Sequence, residues 1–478
     1  MKNLRSLAGA GIFFGFFPIF GVKSIVRKSG MDDGGKSAYE WKNVSVFVPK
    51  NPLALLSIFK SLRHRNFAIY FAGMLFSLVG AWIQQVAMGW LVYNLTNSVF
   101  ILSLSVFLGQ IPALFFTPFA GVVADRFDRR KILIVTQVCM MCLSFALAFV
   151  ALSGEVNINA ILALCFVSGI VFSFDAPARQ SLYSKLVPPS DLSNAIALNS
   201  TAINGTRFIG PAIGGALIAS VGEGICFLIN AFCYLAILFS LYMIKISPSR
   251  GSAGSGAMRD IAEGFAYIRD MRPIRLVITI LMVFSFFGLP FAMLMPAFAK
   301  GELGGGSQTL GNLMSCVGCG ALAAALYLAA RKSVLGLGRV IVLSGMLFGA
   351  SLVAISFVRS PACAYLICVP IGFGMVAVAA SCNTMLQSLV DDSKRGRVMS
   401  VFTMSFFGVP PIGSILQGWI SSFAGLPAVT ACCGLVCIFA FAVFEFRRKK
   451  ISSQARKIYA QKGLIMPEMA RALQQSTR

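Results

Sequence analysis

Of 478 residues, 57% are hydrophobic and only 12% are charged, against roughly 25% charged in an ordinary soluble protein, which excludes a soluble multidomain enzyme. Apolar helices of about 20 residues cross a bilayer, and this composition supplies about twelve of them. The net charge of +24 admits nucleic-acid binding until its distribution is read: with twelve spans drawn and both termini cytoplasmic, every one of the 41 Lys and Arg falls in the termini or even-numbered loops, except Lys300 and Arg359 in outside loops and Arg207 inside a span. That bias is the positive-inside rule. It turns the basic charge toward anionic lipid headgroups, so the bilayer and not nucleic acid is the expected partner.

Residues 1–60 form an extension of uncertain status. A Phe-rich apolar run at residues 7–22 is flanked by Lys2 and Arg5 and by Lys23, Arg27 and Lys28. No small-residue cleavage site follows it, and it is short for a span. It reads as an interfacial anchor, as an extra helix, or as an upstream extension of a reading frame whose start is Met31. The last is favoured, because an extra spanning helix would place the N-terminus outside against its own positive charge.

The predicted spans follow at 67–92, 98–122, 130–152, 157–178, 194–220, 224–245, 274–299, 308–330, 338–358, 361–388, 398–423 and 426–446. Residues 61–246 make one six-helix half and residues 274–446 the other, with a basic cytoplasmic tail at 447–478. Between the halves, residues 247–273 begin with a flexible Ser/Gly/Pro composition and continue as an amphipathic helix with Ile261, Phe265 and Ile268 on one face. The halves echo each other. Leu186-Val187 followed by Pro-Pro-Ser-Asp matches Leu389-Val390 followed by Asp-Asp-Ser-Lys, and Pro211-Ala-Ile-Gly214 matches Pro410-Pro-Ile-Gly413. Both echoes share an offset of about 200 residues, the mark of a transporter built from repeats around a central site.

The loop between spans two and three reads Gly121-Val-Val-Ala-Asp125-Arg126-Phe127-Asp128-Arg129-Arg130-Lys131. A carboxylate just past a helix end can face a neighbouring helix N-terminus or an Arg, and the cations behind it set topology. Span five carries Gly205-Thr-Arg207-Phe-Ile-Gly210-Pro211-Ala-Ile-Gly214-Gly215. Its small residues let helices approach closely and its Pro adds a bend.

Asp175 and Arg207 are the charges that lie clearly within apolar runs, and an ionisable group there is a functional candidate. Asp175 can pair with Arg179 one turn on or with Arg207 across spans four and five. Protonation of Asp175 would free the Arg and shift the balance between two conformations. Gln84, Gln85, Asn204, Phe286, Asn383 and Gln387 are the candidate cavity residues; amides and aromatics suit a bulky amphiphile better than a small ion. The 13 cysteines include Cys139/Cys142 and Cys316/Cys319, but these sit inside spans and the chain has one histidine, His64. They read as packing residues, with no metal and no cofactor. No P-loop appears, so ATP is not the direct energy source.

These motifs resemble the major facilitator superfamily, and in particular the bacterial branch of enterobactin exporters and macrolide-efflux-like proteins, over about residues 61–448. The resemblance is carried by Ser61-Leu-Arg-His-Arg-Asn-Phe, Ala81-Trp-Ile-Gln-Gln-Val-Ala, the Gly121–Lys131 loop, Asp175-Ala-Pro-Ala-Arg179-Gln180, Gly210-Pro-Ala-Ile-Gly-Gly and Gly396-Arg397-Val-Met-Ser. It implies an all-α membrane protein of twelve helices in two pseudo-symmetric six-helix bundles. The implied activity is secondary active export of a hydrophobic or amphipathic small molecule, of the drug or siderophore class, from the bacterial cytoplasmic membrane, driven by protons and performed by a monomer. It also implies that Gly121, Asp125, Arg126, Asp128, Arg129 and Arg130 latch the cytoplasmic ends of the halves, that Gly210, Pro211, Gly214 and Gly215 form an antiporter signature, and that the chain is not an enzyme. Two departures stand out. Span one has no acidic residue, and the second-half loop from Arg331 to Arg339 lacks the acidic part of the signature.

Overall fold

The computed structural model describes residues 27–31, 37–40, 56–154, 156–188, 190–244, 257–331, 334–391 and 394–461. The apolar run at 7–22, the Ser/Gly-rich stretch at 247–256 and the tail beyond 461 lie outside the described residues. Near the N-terminus, β1 (Arg27–Met31) pairs antiparallel with β2 (Ser37–Glu40), Arg27 opposite Glu40 and Lys28 opposite Tyr39. Every other described element is helical.

A 3-10 helix (Leu56–Arg63) leads into α1 (Arg65–Thr96), α2 (Val99–Arg126), α3 (Arg129–Leu152), α4 (Ile158–Leu186) and α5 (Leu192–Met243). The turns between them are short and chemically explicit. Asn97 takes the left-handed conformation (φ 46°) that ends α1, and the Ser98 hydroxyl accepts from the Ile101 N–H at 3.3 Å to start α2. Asn157 does the same for α4, accepting from the Asn159 N–H at 2.9 Å. Within α5 the helical path breaks at Gly222, whose φ of 80° and ψ of 172° suit a residue without a side chain. That break turns one 52-residue element into spans five and six. Among the described residues, eleven helices are long and apolar enough to cross a membrane, and the one at Asn194–Met243 is long enough for two crossings, giving the twelve spans expected.

The second half comprises α6 (Ala257–Asp270), α7 (Arg272–Phe287), α8 (Pro290–Ala297), α9 (Ser307–Ala330), α10 (Leu337–Ser356), α11 (Pro361–Leu389), α12 (Arg395–Thr403), α13 (Val409–Ala424) and α14 (Leu426–Gln461). Two spans are interrupted. Span seven breaks between α7 and α8 and ends in a π-helical turn at Phe298–Glu302; span eleven passes through a second π turn at Met404–Gly408. Pro290 lacks the N–H that would continue α7, and π turns are rare insertions that loosen a helix locally.

Within the first half, α1 and α3 pack on α5, and α2 packs on α4. Within the second, α9 packs on α11, and α10 packs on α11 and α14. The ring of Phe284 sits edge-on to Phe348 (4.9 Å) and Phe441 (5.9 Å) at the centre of that core. The halves join through α5 against α9 and through α2 against α13. Lipid offers no hydrophobic drive between helices, so these joints depend on close fit.

The amphipathic helix α6 forms, and its Phe265 and Ile268 are buried unequally. Phe265 is 45% exposed, whereas Gly264 and Ile268 are buried. A Cβ at Gly264 would stand 2.8 Å from the Arg397 carbonyl, so the missing side chain, not an aromatic one, sets the contact. Periodicity alone cannot place the helix that tightly. Glu263 accepts from Arg397 (2.6 Å) and lies near Lys394 (3.7 Å), and the Tyr267 hydroxyl donates to Asp391 (3.1 Å). These bonds fix α6 to the start of span eleven. Ile261 has no described side chain.

Candidate transport pathway

The glycine-led charged loop closes α2 and opens α3. α2 remains helical to Arg126, Phe127 is extended, and the Asp128 carboxylate accepts from the Arg130 N–H at 3.0 Å, capping α3. The side chains of Asp125 and Arg126, like the surroundings of Gly121, lie outside the described residues. Arg130 donates from Nε to the Leu241 carbonyl (2.7 Å) and from its terminal nitrogen to that of Tyr242 (2.8 Å). It therefore satisfies orphan carbonyls at the end of span six, where a cation also suits the helix dipole. In this state Arg130 ties spans three and six together within one half.

The glycines of span five sit at two crossings. A Cβ on Gly210 would lie 2.5 Å from Cβ of Trp82, and Gly214 approaches the Ile83 Cα, so this face is closed by span one. Gly215 meets Gly311 backbone to backbone, with a Cβ placed 2.8 Å from the Gly311 Cα and from the Ser307 carbonyl. The same four-residue signature thus docks span five on span one inside its own half and on span eight across the divide. Pro211 takes part through its carbonyl, which faces Gly311.

Asp175 is 3% exposed and well supplied with donors. Arg179 reaches its Oδ2 through Nε at 2.9 Å and a terminal nitrogen at 2.8 Å; Thr136 Oγ1 (3.0 Å) and Gln137 Nε2 (2.6 Å) donate to Oδ1. Of the two pairings the sequence allows, the structure forms the one with Arg179, one turn along α4. The hydroxyl and amide come from α3, so the carboxylate also joins spans three and four. Arg207 stands instead over the Trp82 ring, its Cζ 5.9 Å from the centroid.

The candidate cavity residues separate. Gln84 accepts at Oε1 from Ser144 (2.7 Å) and Asn230 (2.6 Å), and Asn230 also donates to Ser144 (3.2 Å). This triad joins spans one, three and six and takes the Gln84 carbonyl out of any cavity. Gln85, the next residue, is exposed. Asn204 donates to the Ser200 carbonyl of its own helix at 2.8 Å. Asn383 is buried and accepts from Gln387 at 3.0 Å. The half-buried Phe286 ring lies edge-on to Phe287 at 4.9 Å.

Three features escaped the sequence. Lys300 donates to Asn94 Oδ1 (2.6 Å) and Asn97 Oδ1 (3.1 Å), joining the end of span seven to the end of span one. Its position as an exception to the charge bias was the available signal. Gln417 bridges spans eleven and seven through the Phe286 and Phe287 carbonyls. Asp191, at the start of α5, receives His64 Nε2 and Lys60 Nζ, both at 2.9 Å, while Ser61 donates to Asn194 at 3.0 Å. The His64 hydrogen bond and the Lys60 ammonium hold the Asp191 carboxyl below its ordinary range. With Gly89 against Pro296 and Gly215 against Gly311, the Lys300 tie shows the halves closely joined from the middle of the bundle to the end that carries Asn94.

Comparison with known proteins agrees with this geometry. The family model described as transmembrane secretion effector, of the major facilitator type, matches residues 56–477. The staphyloferrin A transporter of Staphylococcus aureus is 25% identical over 80% of this chain and 96% of its own length. The multidrug efflux pump Tap of Mycolicibacterium fortuitum is 23% identical over 73% of this chain and 87% of its own. Among solved structures, a bacterial homologue of the iron transporter ferroportin, in an inward-facing state, superposes with a TM-score of 0.60 at 16% identity, covering 80% of this chain and 98% of that one. A D-xylose–proton symporter gives 0.62 at 14% identity, covering 79% and 97%. The chain belongs to the transmembrane secretion effector family of the major facilitator superfamily and is a multi-pass membrane transporter of small molecules, not an enzyme.

Proposed function

We propose that the chain moves a hydrophobic or amphipathic small molecule out of the bacterial cytoplasm by alternating access, in exchange for protons. The relatives that export drugs and carry a siderophore support this direction and cargo class. The arginine- and lysine-rich end of the bundle is cytoplasmic by the positive-inside rule, which puts both termini inside. The end sealed by Lys300, Asn94 and Asn97 is then the outer end, and this state is the inward-facing one. Residues 61–246 and 274–446 act as the moving halves, α6 travels with the second, and the working unit is a monomer.

The observation that carries the reading is the glycine joint of span five. Its backbone contact with span eight is a close crossing of small residues about which the halves can rock. Asp175 supplies the proton site. Uptake of a proton replaces the Asp175–Arg179 ion pair by a neutral acid and releases the guanidinium, biasing one state over the other. Asp125 belongs to the latch that closes the cytoplasmic end in the opposite state.

The test is transport by inside-out vesicles containing the chain. An amphipathic fluorescent probe should accumulate inside them when their lumen is acidified, and a protonophore should abolish the accumulation. Accumulation only in right-side-out vesicles would reverse the direction assigned.

A further inference from the structure

Among the described residues, Asp175 and Arg207 are the formally charged side chains set well inside the spans, and Arg179 lies one turn past Asp175 at the end of span four. Asp175 and Arg179 form an ion pair at 2.8 Å and cancel. These three side chains sum to one positive charge. This balance is the same whatever hydrogen bonds Arg207 makes in the substrate-free state. A fixed cation in a low-dielectric interior favours an anion beside it and repels another cation.

The surroundings of Arg207 suit a ligand with an aromatic part. Its guanidinium lies over Trp82, 5.9 Å from the ring centroid, and both residues are half-buried. Gln85 follows Trp82 by one helical turn and is exposed. An exposed amide in a span belongs on a water-filled pathway and not on lipid. Asn204, one turn before Arg207 on span five, is half-buried and adds a second amide to the same helix face. A planar guanidinium grips a carboxylate with two parallel hydrogen bonds, and an indole face stacks on an aromatic or apolar body.

We propose that Arg207, Trp82 and Gln85 form an anion subsite in the transport pathway, and that the cargo is an organic anion whose carboxylate or similar group is attached to an aromatic or apolar body. This deepens the export reading above and rests on it. Cationic amphiphiles, which a multidrug exporter would also take, are disfavoured at this site by the charge balance.

Three probes separate the possibilities: a dansyl amino acid with a free carboxylate, the matching dansyl amino-acid amide, and the cation ethidium. Each is measured for binding to the purified full chain and for accumulation in inside-out vesicles. The carboxylate should bind at least about tenfold more tightly than the amide, since a hydrogen-bonded charge is worth about that much. Arg207→Gln should bring the carboxylate to within about twofold of the amide, and Arg207→Lys should restore part of the difference as a point charge without the fork. Equal binding of carboxylate and amide by the unaltered chain, preference for ethidium, or a carboxylate preference that survives Arg207→Gln would each overturn the subsite. The first two need no variant and so do not depend on its folding. Accumulation of amide or ethidium without anion preference removes the subsite and leaves export standing; accumulation of none of the three removes both.

Discussion

The side-chain amide of Gln417 donates to the carbonyl oxygens of Phe286 (2.9 Å) and Phe287 (3.2 Å), linking span eleven to the break in span seven. The Phe286 carbonyl has no helical partner because residue 290 is proline. The Phe291 N–H, which would serve Phe287, turns to the Gly288 carbonyl at 3.3 Å. In a membrane such orphaned carbonyls must be met by protein. Gln417→Leu should therefore cost about 1–3 kcal/mol per buried carbonyl left unmet. A thermal unfolding scan of the detergent-solubilised chain should show a lowered midpoint, and an unchanged midpoint would mean that the break is held by other contacts.

The crossing of spans five and eight has no room for a side chain. Gly215→Val would drive a branched carbon into the Gly311 backbone and the Ser307 carbonyl, both 2.8 Å from the position of a first carbon. Transport should fall by more than about tenfold, as an overpacked joint costs 1–3 kcal/mol in the state that forms it. Gly215→Ala should fall between. Initial rates in vesicles with matched protein content measure this, and full activity in the valine variant would remove the joint from the cycle.

Asp191 makes the attachment of the N-terminal segment pH-dependent. Its carboxyl is held below the ordinary range by His64 and then Lys60. A lowered folded value means that the stabilisation is complete above the ordinary carboxylate value of about 3.9 and is lost as pH falls through the folded value. Asp191→Asn should lower the unfolding midpoint at neutral pH, and the difference from the unaltered chain should shrink in the acid range below that value. A difference that persists unchanged below the folded value would contradict the assignment.

Asp125→Asn tests the latch. It should slow turnover more than it weakens substrate affinity, because a latch acts on the rate of interconversion. Separate measurement of maximal rate and half-saturating concentration decides it, and a loss confined to affinity would contradict a gating role.

The sequence made the fold legible because the membrane imposes it: a run of apolar residues long enough to cross must be a helix, and the basic loops orient it. The twelve spans were readable, and helical spacing offered Arg179 as one of two partners for Asp175. The details that depend on neighbours were not. Gln84 looked like a cavity amide because its partners, Ser144 and Asn230, are 60 and 146 residues away. Periodicity put Phe265 on the apolar face of α6 but could not register that Gly264 offers the closer fit to Arg397. The break in span seven had a signal, Gly288-Leu-Pro290 inside an apolar run, but the residue that repairs it lies in another helix.

Whether proton movement through Asp175 drives export is tested most directly by a pH jump. In inside-out vesicles with an acidic lumen, the unaltered chain should accumulate an amphipathic probe that the Asp175→Asn variant binds but fails to accumulate. Accumulation by Asp175→Asn at the unaltered rate would remove this carboxylate, and the coupling built on it, from the mechanism.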